Sequence, residues 1–336
     1  MNKNKIKIFF LISVFISFSA LLCLFLDLLV YADKSASADD SKKVVVIPPG
    51  QDLWTTAKYL NNTGIIKNPV KFKLLARIKG CDKKIKAGEY LLSSSMPPIK
   101  ILEMIASGKV RLYKITIPEG YNLKQVSSII AKAKLGTKED FLKAATDSSF
   151  VHKQGIKAET FEGYLFPETY HFPKDITPEK IIAAMVERFR SIFNRKWKKR
   201  AKELNLSIHQ IVTLASIIEK ETGVSFERPV ISSVFHNRLK KRMRLESDPT
   251  VIYGLKNFDG NITRKHLATK TPYNTYTIKG LPPGPIANPG IKAIEAALYP
   301  ADTDFLYFVS KKDRTHKFST NIKDHNKAVR RYQLRK

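Results

Sequence analysis

The longest unbroken apolar stretch comes first. Ile8 to Leu26 is 19 residues without a charge, and serine is its only polar residue type. As a helix it measures roughly 28 Å at 1.5 Å per residue, just enough to cross a hydrocarbon core about 30 Å thick. Asp27 interrupts the run, but Leu28 to Tyr31 extend it, which puts the aspartate near the far interface, where its cost is modest. Lys3, Lys5 and Lys7 precede the run and orient it with the N-terminus in the cytoplasm, so everything after Asp33 lies outside. The competing reading is a cleaved signal peptide ending at Val30-Tyr31-Ala32. The run is longer than the usual signal core, which favours an uncleaved, single-pass anchor in the cell membrane.

After it the pattern changes period several times. Residues 33–43 are small, polar and charged and read as a linker. Val44 to Ile47 predict a strand, Leu53 to Leu60 and Pro69 to Ile78 two amphipathic helices, Ala87 to Leu92 a second strand, and Ile99 to Ala106 a closing helix. This β-α-α-β unit at 44–110 is small enough to have little core. Residues 111–336 form the larger part. It opens with a strand at 111–117 and helices at Leu123–Ala133 and Lys138–Ala145. One long helix is predicted over 179–203, then another from Ser207, whose Ser-x-x-Gln spacing is a capping box, to a stop at Gly223. A helix over Pro229–Lys240 follows. Asp248-Pro249 and Asn288-Pro289 each read as an N-cap followed by proline at the first helical position. A hairpin at Phe305–Ser310 and Lys317–Ser319 and a final helix from about Lys323 complete an α+β chain without a strict βαβ rhythm.

Charge narrows the function. The formal net charge is +29, a balance that suits nucleic acid, lipid surfaces or an acidic polymer. With the bulk of the chain outside the cytoplasm, nucleic acid drops out as a partner. The basic runs at 188–202 and 238–244 read as solvated helix faces, or as attraction to anionic lipid or wall polymer. Two cysteines and no HExxH spacing exclude a disulfide scaffold and a zinc site of that kind.

Chemistry concentrates in three places. Between Ile211 and Thr222 the apolar side chains cover a wide arc and only Thr213, Ser216 and Lys220 form a narrow polar strip. Glu219 falls within the apolar arc and Glu221 at its opposite margin. A carboxyl buried on such a helix has its pKa raised, which prepares it to donate a proton. Periodicity does not choose between the two glutamates, and pairing with nearby cations is the plainer role for either. The second place is 161–170, where four aromatic residues surround Glu162 and Glu168, a composition that suits sugar rings but also an ordinary packed turn. The third is the Pro/Gly-rich stretch at 272–290, whose Tyr273, Asn274 and Asn288 offer neutral hydrogen bonds.

These segments carry a resemblance. Glu-Gly-Tyr at 119–121, Glu-Gly-Tyr-Leu-Phe-Pro-Glu-Thr-Tyr at 162–170, Leu-Ala-Ser-Ile-Ile-Glu-Lys-Glu-Thr at 214–222 and Val-Phe-His-Asn-Arg-Leu at 234–239 come in this order. Asp-Pro-Thr-Val-Ile-Tyr-Gly at 248–254, Tyr-Asn-Thr-Tyr at 273–276 and Gly-Leu-Pro-Pro-Gly-Pro-Ile at 280–286 follow. From residue 44 onward, and in its membrane anchor, the chain resembles the endolytic murein transglycosylases of the MltG (YceG-like) family. The resemblance implies a transmembrane segment at 1–32, a LysM-like peptidoglycan-binding subdomain at 44–110 and a YceG-like catalytic domain at 111–336. It implies a lyase that cuts the MurNAc–GlcNAc bond inside glycan strands, leaves 1,6-anhydroMurNAc ends, ends the growth of nascent strands and needs no metal or organic cofactor. It assigns catalysis to Glu219, the first glutamate of Glu-Lys-Glu-Thr, and leaves Tyr273, Asn274, Asn288, Glu162, Glu168 and Glu221 as candidates for substrate contact. Glu246 departs from the pattern, since a glutamine is more usual there; an extra carboxylate at that point could reach the cleft. The expected partners are peptidoglycan strands, the lipid bilayer and, as candidates, peptidoglycan synthases. The rival reading is a non-catalytic wall-binding membrane protein that recruits those synthases.

Overall fold

The computed structural model of this protein describes residues 3–334. Met1, Asn2, Arg335 and Lys336, at the outer ends of the expected anchor and catalytic domain, and the side chains of Lys3 and Lys5 lie outside the described residues. The chain divides into two compact units, one of residues 1–113 with 173–175, the other of 114–172 with 176–336.

The first unit begins with α1 (Lys3–Asp33). Its stretch Lys7–Asp33 is long and apolar enough to cross a membrane. Then come β1 (Lys43–Ile47), α2 (Leu53–Asn62), α3 (Pro69–Ile78), β2 (Gly88–Leu92) and α4 (Pro98–Ser107). β1 and β2 pair antiparallel from Lys43↔Leu92 to Ile47↔Gly88. Asp52 caps α2 and Asn68 caps α3, which proline also opens. The end of α1 joins the same core: Leu28, Tyr31 and Ala32 are buried in one cluster with Val45, Leu60, Phe72 and Tyr90. The Tyr31 hydroxyl donates to Asn68 O at 2.8 Å, and Lys71 pairs with Asp27 at 2.6 Å. The stretch expected as a linker is stitched down: Ser37 N donates to Ser94 O, Ser94 Oγ to Asp39 O, and Ser93 and Ser95 hydroxyls to Asp40.

The second unit takes in β3 (Leu112–Thr116), which leads into it, α5 (Leu123–Lys132), α6 (Lys138–Ala145), α7 (Ser148–Lys153) and β4 (Thr169–Pro173), the partner of β3. α8 (Pro178–Ile192), α9 (Arg195–Glu203), α10 (Ile208–Glu221), α11 (Arg228–Lys240), α12 (Asp248–Gly254), α13 (Arg264–Ala268) and α14 (Ile291–Leu298) follow. β5 (Tyr307–Ser310) and β6 (His316–Ser319) make the expected hairpin, closed by α15 (Ile322–Val329). α10 lies at the centre, buried along Ile211 to Ile218 and packed on α14 and α11.

Four expectations are corrected here. The helix expected over 179–203 is two helices, because Asn194 turns its side chain onto the amides of Lys196 and Trp197 and starts α9 afresh. Asp248 is a helical residue rather than an N-cap; Ser247 holds that position. Asn288 is not an N-cap either, since α14 starts after Gly290 and the Asn288 amide is engaged elsewhere. α10 ends in an extended Thr222, with no left-handed glycine after it. The helix α7 and the strand β4 were not anticipated.

Candidate active site

The capping box at the start of α10 is complete: Gln210 N donates to Ser207 Oγ at 3.1 Å and Ser207 N to Gln210 Oε1 at 2.8 Å. Thr213 and Ser216, which the helical pattern put on a polar strip, are buried. Thr213 bonds back to His209 O, and Ser216 Oγ accepts from Ile286 N at 3.0 Å, docking the Pro/Gly stretch onto the helix. At the head of α10 the His209 ring donates through Nε2 to Pro283 O at 2.8 Å, and its Nδ1 lies 2.9 Å from the Tyr164 hydroxyl.

With the head and middle of α10 so fixed, Glu219 is delivered to a defined place. Its side chain is only 6% exposed. Oε1 accepts from Arg228 Nη2 at 2.7 Å, and Oε2 from the backbone amide of Gly290 at 2.9 Å. Arg228 lies at the start of α11 and Gly290 just before α14, so three chain segments converge on one carboxyl. Glu119 is the next charge out, 3.9 Å from the same Nη2 and 46% exposed. Burial pushes the Glu219 carboxyl above the ordinary glutamate range; the Gly290 amide and Arg228 pull against that, and the Glu119 charge adds to it. A carboxyl balanced in this way can give a proton and take it back.

The other candidates are placed differently. Glu221 turns inward to accept from Ser247 Oγ, and burial pushes it to about 7. Glu162 is also pushed to about 7 by burial; it accepts from Leu123 N at the start of α5 and from the Tyr253 hydroxyl at 3.0 Å. It lines a cavity of about 440 Å³ together with His209, Tyr273, Pro283 and Gly284, and Glu219 is not part of that lining. Tyr273 packs on Tyr253, ring centroids 4.8 Å apart. Glu168 pairs with Arg188, and Glu246 with Arg238 at 3.2 Å. Asn274 and Asn288, expected to face a sugar, are fully buried and committed to the fold. Asn274 Nδ2 gathers the carbonyls of Leu267 and Thr269, and its Oδ1 accepts from Tyr276 N. Asn288 Oδ1 accepts from Leu165 N at 2.9 Å and Nδ2 donates to Tyr121 O at 2.8 Å.

The sequence pattern of the YceG-like family matches residues 45–331. This chain belongs to the YceG-like family. It is 36% identical over 312 residues to a Bacillus subtilis protein named endolytic murein transglycosylase, covering 87% of this chain and 86% of that one. It is 30% identical to the Streptococcus pneumoniae protein of the same name, of whose length it spans 58%. A crystal structure of a YceG-like protein from Listeria monocytogenes superposes with a TM-score of 0.61 at 36% identity, over 86% of this chain and 99% of that one.

The YceG-like segments interlock in the second unit. The 248–254 segment meets the 273–276 segment through Thr250 and Thr275, whose hydroxyls lie 2.8 Å apart, and through Tyr276, which donates to Asp248 at 2.7 Å. It meets Glu162 through Tyr253. In the 234–239 segment, Asn237 and Arg238 donate to the carbonyls of Thr303, Phe305 and Leu306 and so hold the C-terminal hairpin. Sequence reasoning passed over Arg228 and Gly290. Arg228 sits at the first position of α11, nine residues from Glu219, and a cation at a helix start carries no periodic signal. Gly290 reads as part of a turn.

Two buried carboxyls near 7 make stability depend on pH. Their folded pKa values lie above the ordinary 4.5, so the folded state holds the protons more tightly. Their stabilising contribution is full below about 4.5 and lost as pH rises toward about 7. Denaturant melts should therefore show a lower midpoint at mildly alkaline than at mildly acidic pH, and the variant carrying Glu162→Gln and Glu221→Gln should flatten that slope.

Proposed function

We propose that this protein is a membrane-anchored endolytic peptidoglycan lytic transglycosylase, with α1 as the anchor, the N-terminus in the cytoplasm and both units outside it. The observation that carries the reading is Glu219: a buried carboxyl between a guanidinium and a backbone amide, in the Glu-Lys-Glu-Thr segment of a chain that matches the Bacillus relative over most of both lengths. The unit at 44–110 is read as a LysM-like glycan-binding module, which its antiparallel β1–β2 pair and two intervening helices suit. Peptidoglycan synthases remain candidate partners.

Hydrolytic glycosidases ordinarily use two carboxylates, one of them to activate water or attack the sugar. In the proposed reaction one is enough. Protonated Glu219 gives its proton to the oxygen linking MurNAc to GlcNAc as that bond breaks, and GlcNAc leaves as an alcohol. The carboxylate so formed takes the proton of the MurNAc C6 hydroxyl, whose oxygen closes on C1. The attacking hydroxyl belongs to the same sugar, so its effective concentration is high and no water is consumed. Gly290 N–H holds the carboxyl in place, and Arg228 meets the carboxylate that the first step leaves.

Digestion of purified glycan strands followed by mass spectrometry tests this. Fragments should end in 1,6-anhydroMurNAc, about 18 mass units below the hydrolysis product because one water is not added, and strand lengths should fall broadly and early, as internal cuts require. Reducing MurNAc ends as the main product would make the protein a hydrolase; no cleavage at all would favour the non-catalytic wall-binding reading. The anchor has its own test: the protein should retain its first residues and stay with membranes through a carbonate wash. A soluble form beginning near Asp33 would overturn it, and by removing Leu28, Tyr31 and Ala32 would also open the core of the first unit.

A further inference from the structure

We propose that Glu119 is a positioning carboxylate of the Glu219 site, the group that takes over Arg228 whenever Glu219 carries a proton. This rests on the reading of Glu219 as the acid and base. The site holds a conflict. Arg228 is 6% exposed and permanently charged, and its contact with Glu219 favours the ionised carboxyl, whereas a general acid must hold a proton. Protonating Glu219 with nothing else nearby would leave a buried cation without a counter-charge, which is strongly unfavourable.

Glu119 resolves the conflict by its place. It stands in the turn between β3 and α5, and this turn is held against the site: Gly120 N donates to Asn288 O at 2.9 Å, and a side chain on Gly120 would sit 3.5 Å from Glu219 Cγ. The Glu119 carboxyl lies so close over Gly290 that a β-carbon there would fall 1.9 Å from Oε1. Arg228 Nη2 lies between the two carboxylates, 2.7 Å from Glu219 and 3.9 Å from Glu119. Its Nε–H has no hydrogen-bond partner among the described residues, so the guanidinium is not locked by a second contact at that atom. A small rotation passes it from one carboxylate to the other. The charged groups around Glu219 are then Arg228 from α11, Glu119 from the β3–α5 turn, and Lys220 on α10 itself, whose Nζ is turned to Gly120 O at 3.4 Å. Arg228 then has an ionised carboxylate beside it whether or not Glu219 carries the proton.

The test reads the Glu219 carboxyl directly. Full-length protein in detergent micelles, labelled with carbon-13 at the glutamate side-chain carboxyl, is titrated by NMR without substrate, and Glu219 is assigned by the signal lost in Glu219→Gln. In Glu119→Gln the Glu219 midpoint should fall by roughly one pH unit, since a like charge has been removed, and Glu119→Asp should restore part of the shift. Gly290→Ala, which pushes the end of the Glu119 side chain away, should lower the midpoint as well. The alkaline limb of glycan cleavage should move toward acid in the same variants, with unchanged melting temperature. A Glu219 midpoint that stays put or rises in Glu119→Gln overturns the proposal. Failure of the wild-type protein to cut glycan would count against the lytic reading instead, because the titration reads the effect of Glu119 on Glu219 without any turnover.

Discussion

Glu219→Gln is expected to lower glycan cleavage toward the upper end of the roughly 10²–10⁴-fold that general acid–base catalysis contributes, because one residue serves both proton transfers. Glutamine keeps the shape and can still accept from either Arg228 or Gly290. It also no longer carries a carboxyl that burial penalises when ionised, so the melting temperature should stay within a few degrees of wild type. Glu221→Gln is the control on the same helix. Its carboxyl faces Ser247, whose hydroxyl can donate equally well to an amide oxygen, and nothing there touches Arg228 or Gly290. It should keep most of the activity. Equal loss in both variants, or a Glu219→Gln protein that trims strands at near wild-type rate, would move the assignment to another carboxyl. Glu162 would come first, since it borders the 440 Å³ cavity beside Tyr273, with Glu168 after it.

Asn288→Ala should have the largest effect on stability. The Asn288 side chain is 0% exposed and ties Leu165 N–H to Tyr121 C=O, joining the segment at 162–170 to the turn at 119–121. Tyr121 O keeps the backbone bond from Asn288 N, but Leu165 N–H is left buried without a partner. The orphaned buried donor costs about 1–3 kcal/mol and the second lost bond, to Tyr121 O, about 1 more, so the expected loss is roughly 2–4 kcal/mol. Thermal melts should fall by about 2–4 °C for each kcal/mol in a unit of this size. A variant with wild-type melting but selectively weakened cleavage would mean that Asn288 faces substrate after all.

Local signals were legible in the sequence where the physics is local. The Ser207–Gln210 capping box and the apolar rows of α5, α6, α8 and α10 appear where residue spacing put them. So does the helix pair between β1 and β2. What spacing missed depends on partners far along the chain. The break at Asn194 turns on one side chain preferring two amides over continuing a helix. Asn274 and Asn288 carry the same polar atoms whether they face a sugar or a carbonyl, and only the folded chain decides which. Helical angle places Glu219 within one apolar arc and Glu221 at its opposite margin, without choosing between them. What distinguishes them is Arg228 and Gly290 on one side and Ser247 on the other, brought together from separate stretches of the chain. Family resemblance singled out Glu219, but gave no hint of the Arg228 contact.

The junction between α1 and the first unit changes how that unit can explore its surroundings. Eleven unattached residues at 33–43 would form a leash of up to about 36–40 Å. Here the slack is taken up: the last turns of α1 are buried with the unit's own side chains, and the segment after them is sewn to Ser93–Ser95. On the proposed anchoring, the unit would sit at the end of the helix instead of trailing from a tether. It would diffuse in two dimensions, at a height above the lipid set by the helix. Any glycan contact it made would then be confined to a layer of wall near that height.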